Sequence, residues 1–351
     1  MAKKTWLSTL AVGAALALSL TACSGTADPG NSNEPGGGDE KLTIGLTVND
    51  TTSFVNEGKD ALQAYADAHD IDLIINDPKG DVTTQASQIE QFIRQGVDGI
   101  MVIAVQPDAL NQQVADAKEA GIPLLNINSA LNSPDTAGSV EPDDVEAGAA
   151  IAQAMIDHIG GSGNVVILEG PFGNSGQVLR KEGIDRVLAE NPDITVLASD
   201  TANWARDEAA NKMANWLTAH GDKIDGVIAE NDDMGLGALQ AIREAGKSIP
   251  VVGIDGLQDG LRAIESGEFI GTVLQNGSIE LPLGLALTVA VINGEITGDA
   301  AHIAFKMPYV TQDDVALYID HLVENKPAFI EKVPAIVDRN LKSGDYSNES
   351  E

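Results

Sequence analysis

The sequence predicts an α/β protein of two similar, doubly wound lobes with a ligand cleft between them. Three observations carry this: short apolar runs alternate with amphipathic helical stretches from Lys41 onward, one long passage occurs twice, and the apolar residues are mostly aliphatic. Hydrophobic residues reach 43% but aromatic ones only 4%, so the cores must be made of Ala, Val, Ile and Leu, as in parallel sheets covered by helices on both faces. At 351 residues the chain exceeds one ordinary core and suits two.

The first segment precedes the folded body. Lys3 and Lys4 lead into the apolar run WLSTLAVGAALALSL, and Leu20, Thr21 and Ala22 run up to Cys23, the chain's one thiol. This resembles a bacterial lipoprotein signal with its lipobox, which implies removal of residues 1–22 and a diacylglycerol on Cys23. The alternatives are an ordinary signal peptide with an incidental cysteine, or a short transmembrane anchor. One cysteine forms no intrachain disulfide and no multi-cysteine metal cage. Residues 23–40 continue with SGTADPGNSNEPGGGDE, which lacks large apolar side chains, cannot bury enough surface to order itself, and reads as a flexible tether.

The 53 acidic residues against 21 basic ones give a formal charge of −32, and losing residues 1–22 removes two lysines and no acid, which makes it −34. Such a chain repels nucleic-acid phosphates and anionic lipid surfaces. No nucleic-acid partner is expected, and membrane contact is expected through the lipid anchor alone.

From Lys41 the body alternates: strand LTIGLTV, helix EGKDALQAYADAHD, strand IDLIIND, helix TTQASQIEQFIRQG with Ile89, Phe92 and Ile93 on one face, strand VDGIMVIAV, helix DALNQQVADAKEAG stopped at Gly121, and strand IPLLNIN. The pattern restarts at GNVVILEG and runs through helix GQVLRKEGIDRVLAEN, strand ITVLASD, helix ARDEAANKMANWLTAH, strand IDGVIAE, helix MGLGALQAIREAG and strand IPVVGID. The passages from Val97 to Asn128 and from Ile224 to Asp255 have equal length, and their DG and IP steps both lie 127 positions apart, so Asn128 falls opposite Asp255. A whole lobe is duplicated. Open α/β sheets bind ligands at the carboxyl ends of their strands, so two such edges facing each other make a cleft that hinge bending can close.

At this point the residues resemble a known family. QIEQFIRQGVDGIMV followed by AGIP, then ENDDMGLGAL and VVGIDG, are similar to the signatures of periplasmic and lipoprotein substrate-binding proteins of ABC sugar transporters, of the ribose-binding type. The resemblance runs from about Lys41 to Thr311. It implies two Rossmann-like lobes joined by three crossover segments, with 41–141 plus 276–306 in the first and 142–275 plus 307–340 in the second, followed by a polar tail, 341–351. Leu317, Ile319 and Leu322 suggest a helix in the C-terminal part, packed on a lobe.

The resemblance also implies site residues. Phe54, in NDTTSF, matches an aromatic that stacks on the sugar, with Asn49, Asp50, Thr51 and Thr52 in the same loop; Trp204, in TANWARDE, is the second aromatic, from the other lobe. Flat aromatics suit the C–H faces of a sugar and planar polar groups its hydroxyl edges. Asn231 in ENDD, Asp255 in GIDG and Gln275 in VLQNG match hydrogen-bonding positions, where a carboxylate accepts hydroxyl protons and amides both accept and donate. The plainer alternative for Asn231 and Asp255 is a helix cap or a turn.

Two departures stand out. Asn128 and Ser129 occupy the place of an Asp-Arg pair, and Val178 aligns with a second arginine, while Arg180 lies two positions on. Both guanidinium donors are therefore expected to be missing, which argues against ribose or glucose-like rings and favours an acyclic polyol, a deoxysugar or another hydroxylated solute. Glu141, Glu169, Asn174 and Gln177 are candidates to replace them.

Other chemistries find little support. GLGALQ lacks the third glycine of a dinucleotide loop and follows Asp232 and Asp233, which would repel a pyrophosphate. GNSGQ around Ser175 has its second glycine one place too early for a nucleophile elbow. His69, His158, His220, His302 and His321 are scattered without metal-ligand spacing, and carboxylate pairs in so acidic a chain read as solvated surface. The two-lobed fold also senses sugars in repressors, but a signal segment and tether stand where a helix-turn-helix would be. The sequence thus reads as a monomeric, lipid-anchored, extracytoplasmic solute-binding protein, without cofactor, metal or catalysis. It would capture a small neutral monosaccharide or polyol and deliver it to an ABC permease. The alternatives are a ligand-sensing receptor for a chemosensor or sensor kinase and, more remotely, a two-lobed enzyme.

Overall fold

The computed structural model describes residues 41–346; the expected signal segment, Cys23, the tether and residues 347–351 lie outside the described residues. The first sheet holds β1 (Thr43–Thr47), β2 (Asp72–Asn76), β3 (Gly99–Val102), β4 (Leu124–Ile127) and β5 (Gly138–Pro142), connected through α1 (Ser53–Ala68), α2 (Val82–Gln95) and α3 (Asn111–Glu119). These strands are parallel in the order β2-β1-β3-β4-β5.

After α4 (Asp144–His158) the plan repeats with β6 (Gly163–Glu169), α5 (Ser175–Glu190), β7 (Ile194–Thr201), α6 (Arg206–His220), β8 (Gly226–Ala229), α7 (Asp232–Glu244), β9 (Val251–Asp255), α8 (Gln258–Glu265) and β10 (Phe269–Leu274). The order β7-β6-β8-β9-β10 is the same as in the first sheet. Next come α9 (Gly277–Ile292) and β11 (His302–Phe305), which extends the first sheet parallel to β5, then β12 (Tyr309–Val310), which closes the second sheet antiparallel to β10. The chain therefore passes between the two sheets after β5, after β10 and after β11, as expected of a two-lobed fold with three crossovers.

The repeated passage owes part of its likeness to a structural need. Asp98 Oδ2 accepts from Thr43 N at 2.7 Å, and Asp225 Oδ2 accepts from Asn164 N at 2.7 Å, so each DG step ties the entry of one strand to its parallel neighbour. Polar residues between strand ends and helices act as caps: Thr52, Asp81, Asp143, Asn174, Asn231 and Asn276 each accept a hydrogen bond from an N–H in the first turn of the helix that follows. Helix starts thereby gather at the carboxyl edges of both sheets.

Helices α4 and α5 cross backbone to backbone. A Cβ on Gly183 would stand 1.9 Å from Val145 O, and one on Gly148 would stand 2.0 Å from Arg180 O. Only glycine permits this approach, and it brings the start of α4 beside the middle of α5.

The C-terminal part departs from the expected grouping. Helix α9, GSIELPLGLALTVAVI, is apolar on nearly every face, so it needs cover on the side away from the first sheet. Part of that cover is α12 (Val333–Ser343), which packs on α9 and α1, while α10 (Val315–Ile319) packs on α8 in the second lobe and α11 (Lys326–Ile330) lies between. Tyr65 Oη in α1 donates to Asp338 at 2.9 Å, and Arg262 in α8 pairs with Glu324. Residues 307–340 thus do not all belong with the second lobe; the segment is a strap from one lobe to the other. Ile319 and Leu322 are buried as expected, but Leu317 is exposed. The tail does not begin at 341, because α12 runs to Ser343 and Leu341 and Tyr346 pack against the core.

Candidate ligand-binding site

The carboxyl edges of the two sheets flank one cavity. Asn49 and Thr52 enter it from the β1–α1 loop, Ser53 and Phe54 from the first turn of α1, and Asn128 and Ser129 from the end of β4. The second lobe contributes Asp144, Asn174, Gly176, Arg180, Trp204, Asn231 and Asp255, and the crossover after β10 contributes Gln275. The lips touch: Ala130 N donates to Ser175 Oγ at 3.0 Å, and Asn174 Nδ2 reaches Val105 O at 3.5 Å, each bond joining one lobe to the other. All six principal candidates, Phe54, Asn128, Trp204, Asn231, Asp255 and Gln275, share this one space. Asn231 is also the cap of α7, accepting from Met234 N at 2.9 Å, so the plainer reading of that residue is correct alongside its position in the cavity.

The expected loss of both guanidinium groups is corrected. Val178 is on the surface, 49% exposed, but Arg180 on the same helix points into the cavity and is 6% exposed. Two positions along a helix is a turn of about 200°, which is why the alignment failed to see it. Arg180 donates through Nε to Asp144 at 2.8 Å, through Nη1 to Glu230 O and through Nη2 to Gln275 Oε1 at 2.7 Å. Its guanidinium also sits 5.4 Å from the Trp204 ring centroid and 3.8 Å from Asp255. Gly170 makes room for that indole, since a Cβ there would fall 2.1 Å from it.

Five of the residues named from the sequence do not line the cavity. Asp50 and Thr51 are exposed and outside its lining. Glu141 accepts from Asn126, and Glu169 and Gln177 bond to each other at 3.1 Å while Ser199 also donates to Glu169. These groups brace the walls. Asn174 and Ser129, by contrast, reach the cavity. Asp144, Arg180 and Glu280 carry no signal in the pattern of strands and loops, because each lies within a helix; only the packing of α4 on α5 and the burial of α9 bring them to the site.

Glu280 is fully buried beneath the cavity, accepting from Gln275 Nε2 at 3.1 Å and from Asn128 Nδ2 at 3.4 Å. These bonds orient both amides, leaving Asn128 Oδ1 toward the cavity. Backbone strain concentrates here too: Asn128 has φ +67°, Trp204 +60° and Asp255 +124°, a region disfavoured for residues with a Cβ and often retained at functional positions.

The buried acids give the fold a pH signature. Burial pushes Glu280 up to about 8, with Gln275 opposing, and Asp232 up to about 7, although Thr272 Oγ1 and the N–H groups of Gly256 and Leu257 favour its charged form. Burial likewise lifts Asp255 and Glu230 well above the carboxylate range, and Arg180 opposes both shifts. The ordinary values are 3.8 for Asp and 4.5 for Glu, so between these and about 7 to 8 the folded chain holds protons that the unfolded chain has released. Stability must then fall as pH rises through that window. Asp81, Asp200, Asp222 and Glu268, whose values are lowered, act below it. The urea midpoint is expected to be higher at about pH 5.5 than at about pH 8, with Asp232→Asn and Glu280→Gln flattening the slope. A midpoint that rises toward pH 8 contradicts this assignment.

Two lobes of identical strand order, closed on a polar cavity at their carboxyl edges, define a two-lobed solute receptor. The profile of the periplasmic binding protein domain matches residues 44–296. The xylitol-binding protein of Mycolicibacterium smegmatis is 51% identical over 342 residues, 97% of this chain and 95% of that one. The ribose import binding protein of Bacillus subtilis is 31% identical across 81% of this chain and 94% of its own length. A solved ABC transporter solute binding protein from Bacillus halodurans with bound myo-inositol matches with a TM-score of 0.75 at 28% identity, over 80% of this chain and 98% of that one. The chain belongs to the periplasmic binding protein family. It is an extracytoplasmic solute-binding protein of ABC import, a binder rather than an enzyme.

Proposed function

We propose that this protein captures an acyclic polyol of the xylitol class and presents it to an ABC permease. With Arg180 in the cavity, the polyol reading no longer rests on missing guanidinium groups. The observation that carries it is the composition of the wall: amides, hydroxyls, two carboxylates and one guanidinium surround the cavity, with Phe54 on one lobe and Trp204 on the other. That wall suits a neutral guest with hydroxyls on every side. The similarity to a protein named for xylitol, over nearly the full length, supports the same choice. Hydroxyls bonded to both lobes at once favour the closed form, so closure and capture are one equilibrium.

Thermal unfolding of residues 24–351 with xylitol, other pentitols, ribose, myo-inositol and D-allose is the test. Xylitol is expected to raise the midpoint most, by mass action. If ribose or allose shifts it and no alditol does, the ligand is a cyclic sugar.

The division into lobes at 141/142, 275/276 and 306/307 is supported by which sheet each strand joins, with α12 assigned to the first lobe. We further propose that the protein acts as a monomer anchored through lipidated Cys23, with the acidic surface serving mainly solvation. Cys23→Ser should move the protein from the membrane fraction to the soluble one, and an unchanged distribution would rule the anchor out.

A further inference from the structure

Asp144 is not among the residues that family resemblance supplies, yet it lines the cavity while only 4% exposed. Its Oδ1 receives Arg180 Nε–H at 2.8 Å. No N–H or O–H of the described residues donates to its Oδ2. On a side chain this enclosed, a carboxylate oxygen that no protein group donates to is open only toward the cavity and calls for a partner there. That oxygen faces the cavity: Gly176 is part of the lining, and a Cβ built on it would stand 3.6 Å from Asp144 Oδ2.

The neighbouring guanidinium is only partly used. Of its five N–H groups, Nε–H goes to Asp144, one on Nη1 to Glu230 O and one on Nη2 to Gln275 Oε1, which leaves two. A free acceptor therefore stands next to free donors, fixed relative to each other by an ion pair on two helices whose backbones touch. A hydroxyl can give its proton to Oδ2 while it or its neighbour on the carbon chain accepts from Arg180. Neither an ether oxygen nor a carboxylate has a proton to give to Oδ2.

We propose that Asp144 is a specificity-determining, ligand-contacting residue that accepts a hydroxyl proton from the bound polyol through Oδ2 while Oδ1 holds Arg180 in place. The inference rests on the polyol reading above. It implies that the site selects against guests that present an ether oxygen or a carboxylate at this point, such as the aldonic acid of the same carbon skeleton.

Isothermal titration of wild type and Asp144→Asn with xylitol and its mono-deoxy analogues tests this. The Asn keeps an acceptor for Arg180 but turns the free oxygen into a donor. Xylitol affinity is expected to fall at least tenfold, while for the one analogue lacking the hydroxyl read by Asp144 the two proteins should agree within about twofold. A purely structural role would weaken every ligand by the same factor, and that result, or no change with xylitol, overturns the proposal. If Asp144→Asn does not fold, mono-deoxyfluoro analogues on the wild type decide. Fluorine accepts but cannot donate, so at the position read by Asp144 it must bind no better than hydrogen; fluorine binding as well as hydroxyl at every position overturns the proposal. Wild type that binds no alditol at all overturns the underlying polyol reading instead.

Discussion

Arg180→Ala is expected to cost about 3–5 kcal/mol of folding stability, the amount typical of removing one partner from a buried charge cluster. The magnitude follows from what the guanidinium leaves behind. Asp144 loses its ion pair, Asp255 its nearest cation, and Glu230 O and Gln275 Oε1 their donors, all on residues less than a tenth exposed. Trp204 also loses the cation beside its ring. Arg180→Lys should recover little, because one ammonium on a flexible stem cannot meet acceptors spread around a planar fork. Urea unfolding at neutral pH reads the effect directly, and a loss below about 1 kcal/mol would show that the cluster relaxes or admits water. Ligand affinity should fall in parallel, since Gln275 and Asp255 lose their orientation together.

Asp255→Ala is expected to separate affinity from stability. No N–H or O–H of the described residues donates to the Asp255 side chain, which is 7% exposed, faces the cavity and lies on a backbone at φ +124°. An acid so poorly satisfied within the protein serves something outside it. Removing it should weaken polyol binding by about 2 kcal/mol, close to thirtyfold, as hydroxyls in the closed cavity lose their acceptor. The fold should lose almost nothing, because a buried acid group that no protein donor satisfies is a cost that the unliganded protein bears. Titration calorimetry and urea unfolding on the same sample check both halves. Unchanged affinity removes Asp255 from the site, and a large loss of stability makes it a structural residue.

Much of this was legible in the sequence. Alternating apolar runs and the repeat at a spacing of 127 depend on local chemistry, and they gave two similar parallel sheets; the six residues around one cavity came from the family resemblance. What could not be read were contacts made across helices. Arg180 was missed because alignment counts positions along the chain, whereas a helix turns a residue two places on to the far side. Glu280 and Asp144 look like ordinary surface acids until α9 is covered and α4 meets α5. Glu169 and Gln177 were candidates to replace the missing guanidinium groups, but they satisfy each other. The role of the C-terminal segment depends on the all-round apolarity of α9, a need visible only once that helix has a place.

The strap has one more implication. Lys41 leads into β1 and pairs with Asp70, and α12, the last helix of the described residues, packs against α1 and α9, so both ends of the described body ride on the same lobe. Both ends therefore move as one with that lobe, and closure changes only their distance to the other lobe. A pair of dyes placed at Lys41 and Ser343 should keep a constant separation when ligand binds, whereas moving one of them to α6 should make the capture stroke visible.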